Sequence, residues 1–354
     1  MGEFLRRNLG LAQLPRVAKS LLGAPGAWCA FARRRADLAR QRRRIAVNFR
    51  EIDAAGWTAL RAALRGYFSE AYLRTEAGRR DADEVHLRGR LEADRRNVVP
   101  WLDAARSLAG ARILEIGCGT GSSTAALAEQ GARVIGVDID ARALEVAQLR
   151  CALHGARAEL AQLNANEAAD RYRNEPFDFI IFYASLEHMV HEERVSAIGK
   201  TWEMLPEGAL WCVVECPNRL WYYDSHTSWL PFYLWLPDDL GFAYSRFSPR
   251  ENFSDRYREA TPAARLEWAR RGRGVSYHEL ELAMGPAAAL DVVSSLGAYR
   301  ADRHAPGSIE KRYARLLAEI CPGLHAGFFE PYLNLIIRKA TPSGNAARRH
   351  AVLG

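Results

Sequence analysis

The chain has 354 residues, of which 49% are hydrophobic and 26% charged, and its formal net charge is +7. This length allows one large core with an accessory part, and the apolar content excludes a chain that is disordered throughout. No run approaches about 18 uninterrupted apolar residues, so no transmembrane helix is predicted. The six cysteines form no Cys-x-x-Cys pair, which argues against zinc or disulfides and favours a reducing, cytoplasmic compartment.

Residues 1–50 form a basic arm with twelve basic side chains against Glu3 and Asp37. Leucines recur among the bases as in an amphipathic helix, which Pro15 interrupts. Three interpretations stay open: a peripheral anchor on the anionic inner face of a membrane, a contact with nucleic acid, or a solvated helical or dimer arm. The arm lacks the continuous apolar stretch of a secretory signal, although its Arg-rich start resembles a mitochondrial presequence.

The segment over residues 51–110 places large apolar side chains, among them Trp57, Leu60 and Leu64, at helical spacing. We therefore predict a helical cap ahead of the core. The core is predicted over residues 111–340, and the short polar tail at 341–354 is predicted to be disordered.

Residues 113–121 read Ile-Leu-Glu-Ile-Gly-Cys-Gly-Thr-Gly. An apolar strand there runs into three glycines, which are Gly117, Gly119 and Gly121. Glycine tolerates positive φ and lets the backbone approach a ligand closely, so this strand is predicted to turn into a helix against a bound molecule. The dinucleotide pattern Gly-x-Gly-x-x-Gly needs a sixth-position glycine, where this chain has Ser122.

Strands and helices alternate after this turn, which predicts a parallel sheet. A helix begins at residue 122, a strand over 133–138 ends in Asp138, and a second helix covers 141–154. Further strands are predicted near residues 157–163, 177–183, 210–214, 291–295 and 332–338, with a helix over 275–283 before the last two.

The chain resembles the class I S-adenosylmethionine (SAM)-dependent methyltransferases. Residues 115–121 match motif I of that family, Glu/Asp-x-Gly-x-Gly-x-Gly, and the acid Asp138 stands at the tip of the next strand. Residues 184–189, Ala-Ser-Leu-Glu-His-Met, are similar to the family's Leu-Glu-His segment. The resemblance implies a Rossmann-like fold, a mostly parallel seven-stranded sheet with helices on both faces, and SAM as the cofactor.

The resemblance also implies which residues surround the cofactor. The glycine loop, including Cys118, would follow the amino-acid end of SAM, and Glu115 would hold that loop or the methionine ammonium. Asp138 would accept hydrogen bonds from the ribose hydroxyls, and Ile139 would pack on the adenine.

Three further residues complete the implied cofactor site. Asn164 stands where the family usually has aspartate, and with Ala165 it would border the adenine. Tyr183, at the tip of the fourth strand, would face the same cleft.

Residues 219–273 interrupt the core after the fifth strand, and eleven aromatic residues lie between 219 and 253. Each can bury roughly 150–250 Å². In the family that the chain resembles, insertions at this point cover the active site and shape the acceptor pocket. Two interpretations stay open: an aromatic-walled lid over a bulky or partly apolar acceptor, and a satellite core with a scaffolding role.

Methyl transfer to a hydroxyl needs a general base, and histidine suits this task near neutral pH. The candidates are His188, after the fourth strand, and His226, in the insertion, with Glu187 placed to orient a histidine or the acceptor. The sulfonium already activates the methyl group and no acid pair for magnesium stands out. A metal-free site is therefore predicted.

These patterns predict a SAM-dependent O-methyltransferase acting on a sugar, lipid-linked or secondary-metabolite hydroxyl. Nucleic acid is not favoured as a partner, because the Asp/Asn-Pro-Pro-Tyr and Pro-Cys motifs of nucleic-acid methyltransferases are missing. Two alternatives remain: an RNA- or protein-modifying methyltransferase recruited by the basic arm, and a non-catalytic SAM-binding scaffold. The expected location is cytoplasmic, with peripheral membrane contact through residues 1–50 left open, and the sequence predicts no oligomeric state.

Overall fold

The computed structural model describes residues 51–250, 253–257, 259–300 and 308–340, together with the single residues 29, 33 and 36. The predictions for the basic arm, apart from those three residues, and for the tail at 341–354 therefore lie outside the described residues. Within the described part of the chain, every helix is too short or too polar to cross a membrane.

A seven-stranded sheet forms the centre of the molecule. Its strands are β1 (Arg112–Ile116), β2 (Arg133–Asp138), β3 (Ala158–Gln162), β4 (Phe179–Tyr183), β5 (Leu210–Pro217), β6 (Asp291–Ser295) and β7 (Tyr332–Arg338). Their order is β3-β2-β1-β4-β5-β7-β6, and β7 runs antiparallel to both of its neighbours while the other pairs are parallel. This sheet confirms the predicted Rossmann-like class I fold.

Helices precede the sheet and link its strands. They are α1 (Ala54–Tyr67), α2 (Glu70–Leu73), α3 (Glu76–Arg80), α4 (Arg90–Ala93), α5 (Val99–Ala105), α6 (Ser122–Ala128), α7 (Ala141–His154), α8 (Ala165–Arg171), α9 (His191–Met204), α10 (Asp238–Tyr244), α11 (Phe253–Arg256), α12 (Pro262–Ala269), α13 (Tyr277–Met284), α14 (Leu296–Tyr299) and α15 (Ile309–Ile320). Two π-helical stretches, Asp81–Gly89 and Asp94–Val98, join α3, α4 and α5. The segment predicted as a helical cap is thus helical along most of its length.

Two apolar cores lie on opposite faces of the sheet because successive strand side chains alternate. Leu114, Ile180 and Trp211 occupy one register row and pack into one core. In the neighbouring row Ile113 and Phe179 pack into the other core. Both faces are apolar, as is usual for parallel strands covered by helices on both sides.

The insertion at 219–273 packs around a cluster of its own. Its buried members are Leu230, Tyr233, Leu234, Phe242, Phe253, Tyr257 and Trp268. The indole of Trp268 donates a hydrogen bond to Ser245 Oγ at 2.8 Å, so the polar atom of this large side chain is satisfied. We call this unit the satellite core.

A buried arginine of α7 joins the helical cap to the glycine turn after β1. The Arg150 side chain is 0% exposed and donates hydrogen bonds to the carbonyls of Thr120 at 2.8 Å, His86 at 2.6 Å and Leu87 at 3.1 Å. Burial lowers the pKa of Arg150 to about 10, so the guanidinium remains charged at neutral pH. One cation therefore holds two segments that are distant in sequence.

We expect Arg150→Met to lower the free energy of unfolding by about 3 kcal/mol or more, because three carbonyls lose a charged donor. Urea denaturation of the purified chain measures this. Arg133→Met, at an exposed position whose side chain donates to the carbonyl of Gly110, is the control and should cost less than about 1 kcal/mol. Equal unfolding midpoints for the two variants would show that Arg150 does not carry the link.

Candidate active site

A cleft of about 1100 Å³ lies at the carboxyl ends of β1, β2, β4 and β5, below the helical cap. Open parallel sheets bind ligands at this edge, where the strand order reverses between β1 and β4. The predicted site residues that line the cleft are Gly117, Cys118, Gly119, Asp138, Ile139, Asn164, Ala165, Tyr183 and His188. The other predicted residues, Glu115, Gly121, Glu187 and His226, lie behind or beside its wall.

The three glycines have φ values of 84°, 51° and 78°, which disfavour other residues. A Cβ on Gly117 would lie 2.4 Å from the Cβ of Ser185, and one on Gly121 would lie 2.8 Å from the Cα of Ala147. These two glycines therefore let the turn pack against β4 and α7. A Cβ on Gly119 would meet nothing within 4 Å, so this residue keeps the backbone bare toward the cleft, where a ligand could lie against it.

Glu115 supports the glycine turn from behind. Its side chain is 0% exposed, with one oxygen accepting a hydrogen bond from the Thr124 hydroxyl at 2.5 Å and the other accepting one from the Ser123 hydroxyl. Burial raises the pKa of Glu115 to about 7, although these two hydrogen bonds act to lower it. The contacts of Glu115 are thus with the start of α6, the helix that the turn leads into.

Asp138 and Ile139 form the next part of the wall. Asp138 accepts a hydrogen bond from the Gly119 N–H at 2.8 Å and another from the Asp140 N–H at 3.0 Å, one on each oxygen. Each oxygen has a second lone pair, so the carboxylate can also accept from a diol. Ile139 is 65% exposed and offers an apolar surface for a flat ring. Cys118 is buried, with its thiol packed against Gly136.

Asn164 begins α8 and caps it. Its side-chain oxygen accepts hydrogen bonds from the N–H groups of Asn166 at 3.0 Å and Glu167 at 2.9 Å. Asparagine is as good an N-cap as aspartate, which explains how this chain tolerates the substitution. Asn164 therefore has a structural task beside any contact with adenine.

Tyr183 connects the sheet to the helical cap through Asp94, a residue that no sequence motif marked as part of the site. Its hydroxyl donates a hydrogen bond to Asp94, which is buried in the π-helical stretch and lines the cleft. Burial, and then the charge of Glu215, raise the pKa of Asp94 well above its ordinary value. Asp94 could be found only from the fold, because no motif surrounds it.

Two other cleft residues have a strained backbone. Ala184 and Glu215, at the ends of β4 and β5, have φ values of 43° and 56°, in the left-handed region that favours glycine. A register shift interrupts the pairing of β5 with β7 here, and the Glu215 N–H donates to the Asn334 side chain at 2.7 Å. Such strain persists where the surroundings enforce it and is common at functional sites.

The three predicted catalytic residues come together beside the cleft. The Glu187 Oε1 atom lies 3.9 Å from His188 Nε2 and 4.0 Å from His226 Nε2. Glu187 is fully buried, whereas the His188 side chain is 45% exposed and forms part of the cleft wall. Burial lowers the pKa of His226 to about 4, so this ring is neutral at neutral pH. We call these three residues the Glu-His-His cluster.

The raised pKa of Glu115 makes folding stability depend on pH. The folded state keeps this proton up to about pH 7, while the unfolded chain releases it near 4.5, so stability falls as the pH rises between these values. In the unmodified chain the free energy of unfolding should fall by up to about 3 kcal/mol between about pH 5 and about pH 8, and we expect Glu115→Gln to remove this fall. Urea denaturation at each pH measures it. Glu207→Gln, at an exposed position, is the control. Parallel stability curves for Glu115→Gln and the unmodified chain would contradict the assignment.

Residues 113–208 match a family model described as "Methyltransferase domain". The chain is similar to the ubiquinone biosynthesis O-methyltransferase of Dechloromonas aromatica, at 34% identity over 97 residues, 27% of this chain and 41% of that protein. It is also similar to the protein of that name from Pseudomonas putida W619, at 40% identity over 110 residues, 31% and 46% of the two chains. The chain thus spans less than half the length of these curated relatives.

Among solved structures, a SAM-dependent methyltransferase from Methanosarcina mazei aligns at 28% identity and a TM-score of 0.31, covering 34% of this chain and 58% of that one. Magnesium protoporphyrin IX methyltransferase from Synechocystis, with bound SAM, aligns at 21% identity and a TM-score of 0.33, covering 48% and 79%. The domain match, the seven-stranded sheet and the glycine turn at its carboxyl edge agree with one another. Residues 113–208 thus form a methyltransferase domain with the Rossmann-like class I fold, and the cofactor of such a domain is S-adenosyl-L-methionine.

Proposed function

We propose that this protein is a SAM-dependent O-methyltransferase that methylates a hydroxyl of a sugar, lipid-linked or secondary-metabolite acceptor. The observation that carries the proposal is that the Glu-His-His cluster borders the same cleft as the glycine turn. The curated relatives are named O-methyltransferases, which supports oxygen as the methylated atom.

The cleft residues fit the proposed cofactor. The bare backbone at Gly119 and the free lone pairs of Asp138 suit its amino-acid and ribose parts, and the exposed Ile139 suits its adenine. When bound, SAM supplies a methyl group on a sulfonium, which is electrophilic without further activation. The chain itself then has to orient the acceptor, exclude water and remove the hydroxyl proton.

Carboxylates outnumber cations on the cleft wall. Arg90 and Arg270 face four acidic side chains, which are Asp138, Asp140, Glu193 and Glu215, apart from Asp94, whose raised pKa favours its neutral form. One of the arginines, Arg270, is paired with Glu193 at 2.6 Å. This excess of negative charge favours a cationic ligand, as a sulfonium is.

His188 is the member of the cluster that can reach an acceptor in the cleft. Its Nδ1–H donates to the carbonyl of Arg270 at 2.9 Å, which leaves the lone pair on Nε2. The acceptor hydroxyl would lose its proton to this nitrogen as its oxygen bonds to the methyl carbon and the carbon–sulfur bond breaks. The electron pair of that bond stays on sulfur, and the nearby Glu187 carboxylate would stabilise the protonated imidazole.

The insertion does not decide the class of acceptor. Among the described residues of 219–273, Arg270 alone lines the cleft, because the large aromatic side chains pack in the satellite core or face outward.

We propose that the basic arm brings the enzyme to the cytoplasmic face of a membrane, where lipid-linked acceptors are found.

Transfer of labelled methyl from SAM into an extract of the source cells, partitioned between organic solvent and water, identifies the acceptor class. Label in the organic phase is expected for a lipid-linked acceptor, and removal of residues 1–50 should then reduce it. Label in the aqueous small-molecule fraction would indicate a sugar or another soluble metabolite. Label confined to RNA or protein would overturn the small-molecule proposal.

We expect Asp138→Ala to weaken the binding of S-adenosylhomocysteine by at least about tenfold, since hydrogen bonds to a charged acceptor contribute about 1.5–3 kcal/mol each. Isothermal titration calorimetry measures this, with Asp170→Ala on the exposed face of α8 as the control. Unchanged affinity in Asp138→Ala would contradict the role of Asp138. If the unmodified chain bound no S-adenosylhomocysteine, the enzyme proposal itself would fail.

We expect His188→Ala to slow methyl transfer by about 100-fold or more while S-adenosylhomocysteine affinity stays within about threefold. His191→Ala, at the exposed start of α9 three residues later, is the matched control and should retain full activity. The acceptor fraction identified by the labelling experiment serves as substrate. Full activity in His188→Ala would exclude this residue from the reaction.

A further inference from the structure

The Glu187 carboxyl group is buried and has no cationic side chain in hydrogen-bond contact. Its side chain is 0% exposed, and neither oxygen has a hydrogen-bond partner among the described residues. The thiol of Cys216 lies close enough that burial first, and then this carboxylate, raise its pKa, but a thiol is a weak donor. Removing a carboxylate from water without compensation costs several kcal/mol. The position therefore favours a bound cation.

The buried guanidinium of Arg194 does not supply that charge. Arg194 is ion-paired with Glu279 at 3.1 Å. Its remaining donors bind four backbone carbonyls, those of Leu186, Met189, Arg273 and Gly274. Arg194 thus holds the backbone around the cluster, and the carboxylate of Glu187 is left facing the two histidines.

His188 presents a lone pair to this carboxylate. Because its Nδ1–H is used by the carbonyl of Arg270, the neutral ring carries no proton on Nε2, the atom 3.9 Å from Glu187 Oε1. Histidines that bind metals usually donate their other N–H to a carbonyl or carboxylate in this way, which fixes the tautomer and the ring orientation.

His226 has the same arrangement through a different partner. Its Nδ1 lies 2.9 Å from the Thr227 hydroxyl, whose own proton goes to the carbonyl of Gly272 at 2.8 Å, so the histidine is the donor. Nε2 of the neutral ring then faces Glu187 at 4.0 Å. The bare Gly272 permits this packing, since a Cβ there would lie 2.6 Å from Thr227 Oγ1 and 3.0 Å from His226 Nδ1.

Three atoms that can each offer a lone pair to a metal ion therefore converge. All three lie within 4.8 Å of one another. Donors of a tetrahedral site with ligand distances near 2.1 Å are about 3.4 Å apart, so small rotations of the side chains would close the shell around an ion. His188, which is half exposed, has the room for such a rotation.

We propose that Glu187, His188 and His226 bind one divalent first-row transition ion, such as Zn²⁺, with at least one coordination position open to the cleft. Two imidazoles and one carboxylate suit Zn²⁺, Fe²⁺, Mn²⁺ or Co²⁺ and leave positions for an exchangeable ligand. This differs from the metal-free site that the sequence predicts. Folding of the insertion beside β4 brings His226 to the other two residues.

The inference deepens the proposed function and rests on it for its last step alone. The acceptor oxygen would bind the ion at its open coordination position, and the ion would lower the pKa of the hydroxyl, so that the proton leaves to water and His188 acts as a ligand instead of a base. The oxygen–carbon bond then forms as the carbon–sulfur bond breaks, and the electron pair of the broken bond stays on sulfur. The products are the methyl ether and S-adenosylhomocysteine.

Titration of the metal-stripped full-length chain with Co²⁺ tests the site without SAM or any acceptor, so its result is independent of the proposed reaction. We expect one Co²⁺ to bind per chain, with a visible d–d absorption typical of Co²⁺ at low coordination number. Zn²⁺ should displace the bound Co²⁺. Glu187→Gln and His226→Ala should each weaken Co²⁺ binding by at least about 100-fold. His278→Ala, whose ring stacks on Tyr277 outside the cluster, should bind like the unmodified chain.

Thermal unfolding provides a second readout that does not depend on spectroscopy. Zn²⁺ should raise the unfolding temperature of the unmodified chain and of His278→Ala but leave that of Glu187→Gln unchanged. Co²⁺ binding of equal strength in Glu187→Gln and the unmodified chain, or no binding in either, would overturn the ion site. If the site binds Co²⁺ but methyl transfer is equally fast in metal-stripped and Zn²⁺-loaded protein, the catalytic step fails while the O-methyltransferase proposal stands.

Discussion

The tight packing of the turn after β1 is the constraint on which the site depends. Two positions in this turn have no room for a Cβ, because Gly117 touches the start of the segment after β4 and Gly121 touches α7. Glu115 fixes the same turn from behind, and Arg150 binds the carbonyl of Thr120 within it. The cleft keeps its shape because this backbone is held from three sides, and the third glycine is free to face a ligand.

Buried acidic side chains are concentrated at this edge of the sheet. Burial raises the pKa values of Glu115 and Asp94, and Glu187 has no hydrogen bond to offset its desolvation. The charged forms of such groups are unfavourable in an isolated fold. They become favourable beside a cation, and both the sulfonium of the cofactor and the proposed metal ion are cations. These acidic groups thus lower the stability of this edge of the sheet, and they raise its affinity for cationic ligands.

Local patterns predicted the architecture well. The helix at 141–154 and the strands at 291–295 and 332–338 have the predicted bounds, because apolar spacing and the flanking turns specify them. The glycine turn likewise follows from its own residues. Asp94 and the pairing of His226 with Glu187 could not be predicted, since they depend on how a motif-free helix and a 55-residue insertion pack against the sheet. The aromatic residues indicated a core in that insertion but not which face of it meets the cleft.

The satellite core has a consequence for how the two halves of the cleft respond to heat. The cofactor side is built from strands in the centre of the sheet, whereas His226 is placed by an insertion that has a buried cluster of its own. Self-packed units can open separately from the rest of a protein. On warming, the insertion would then unfold first, and the protein would still bind the cofactor after the acceptor side had unfolded. The two parts can also change independently during evolution, because substitutions inside the insertion can alter the residues that face an acceptor while the cofactor side stays unchanged.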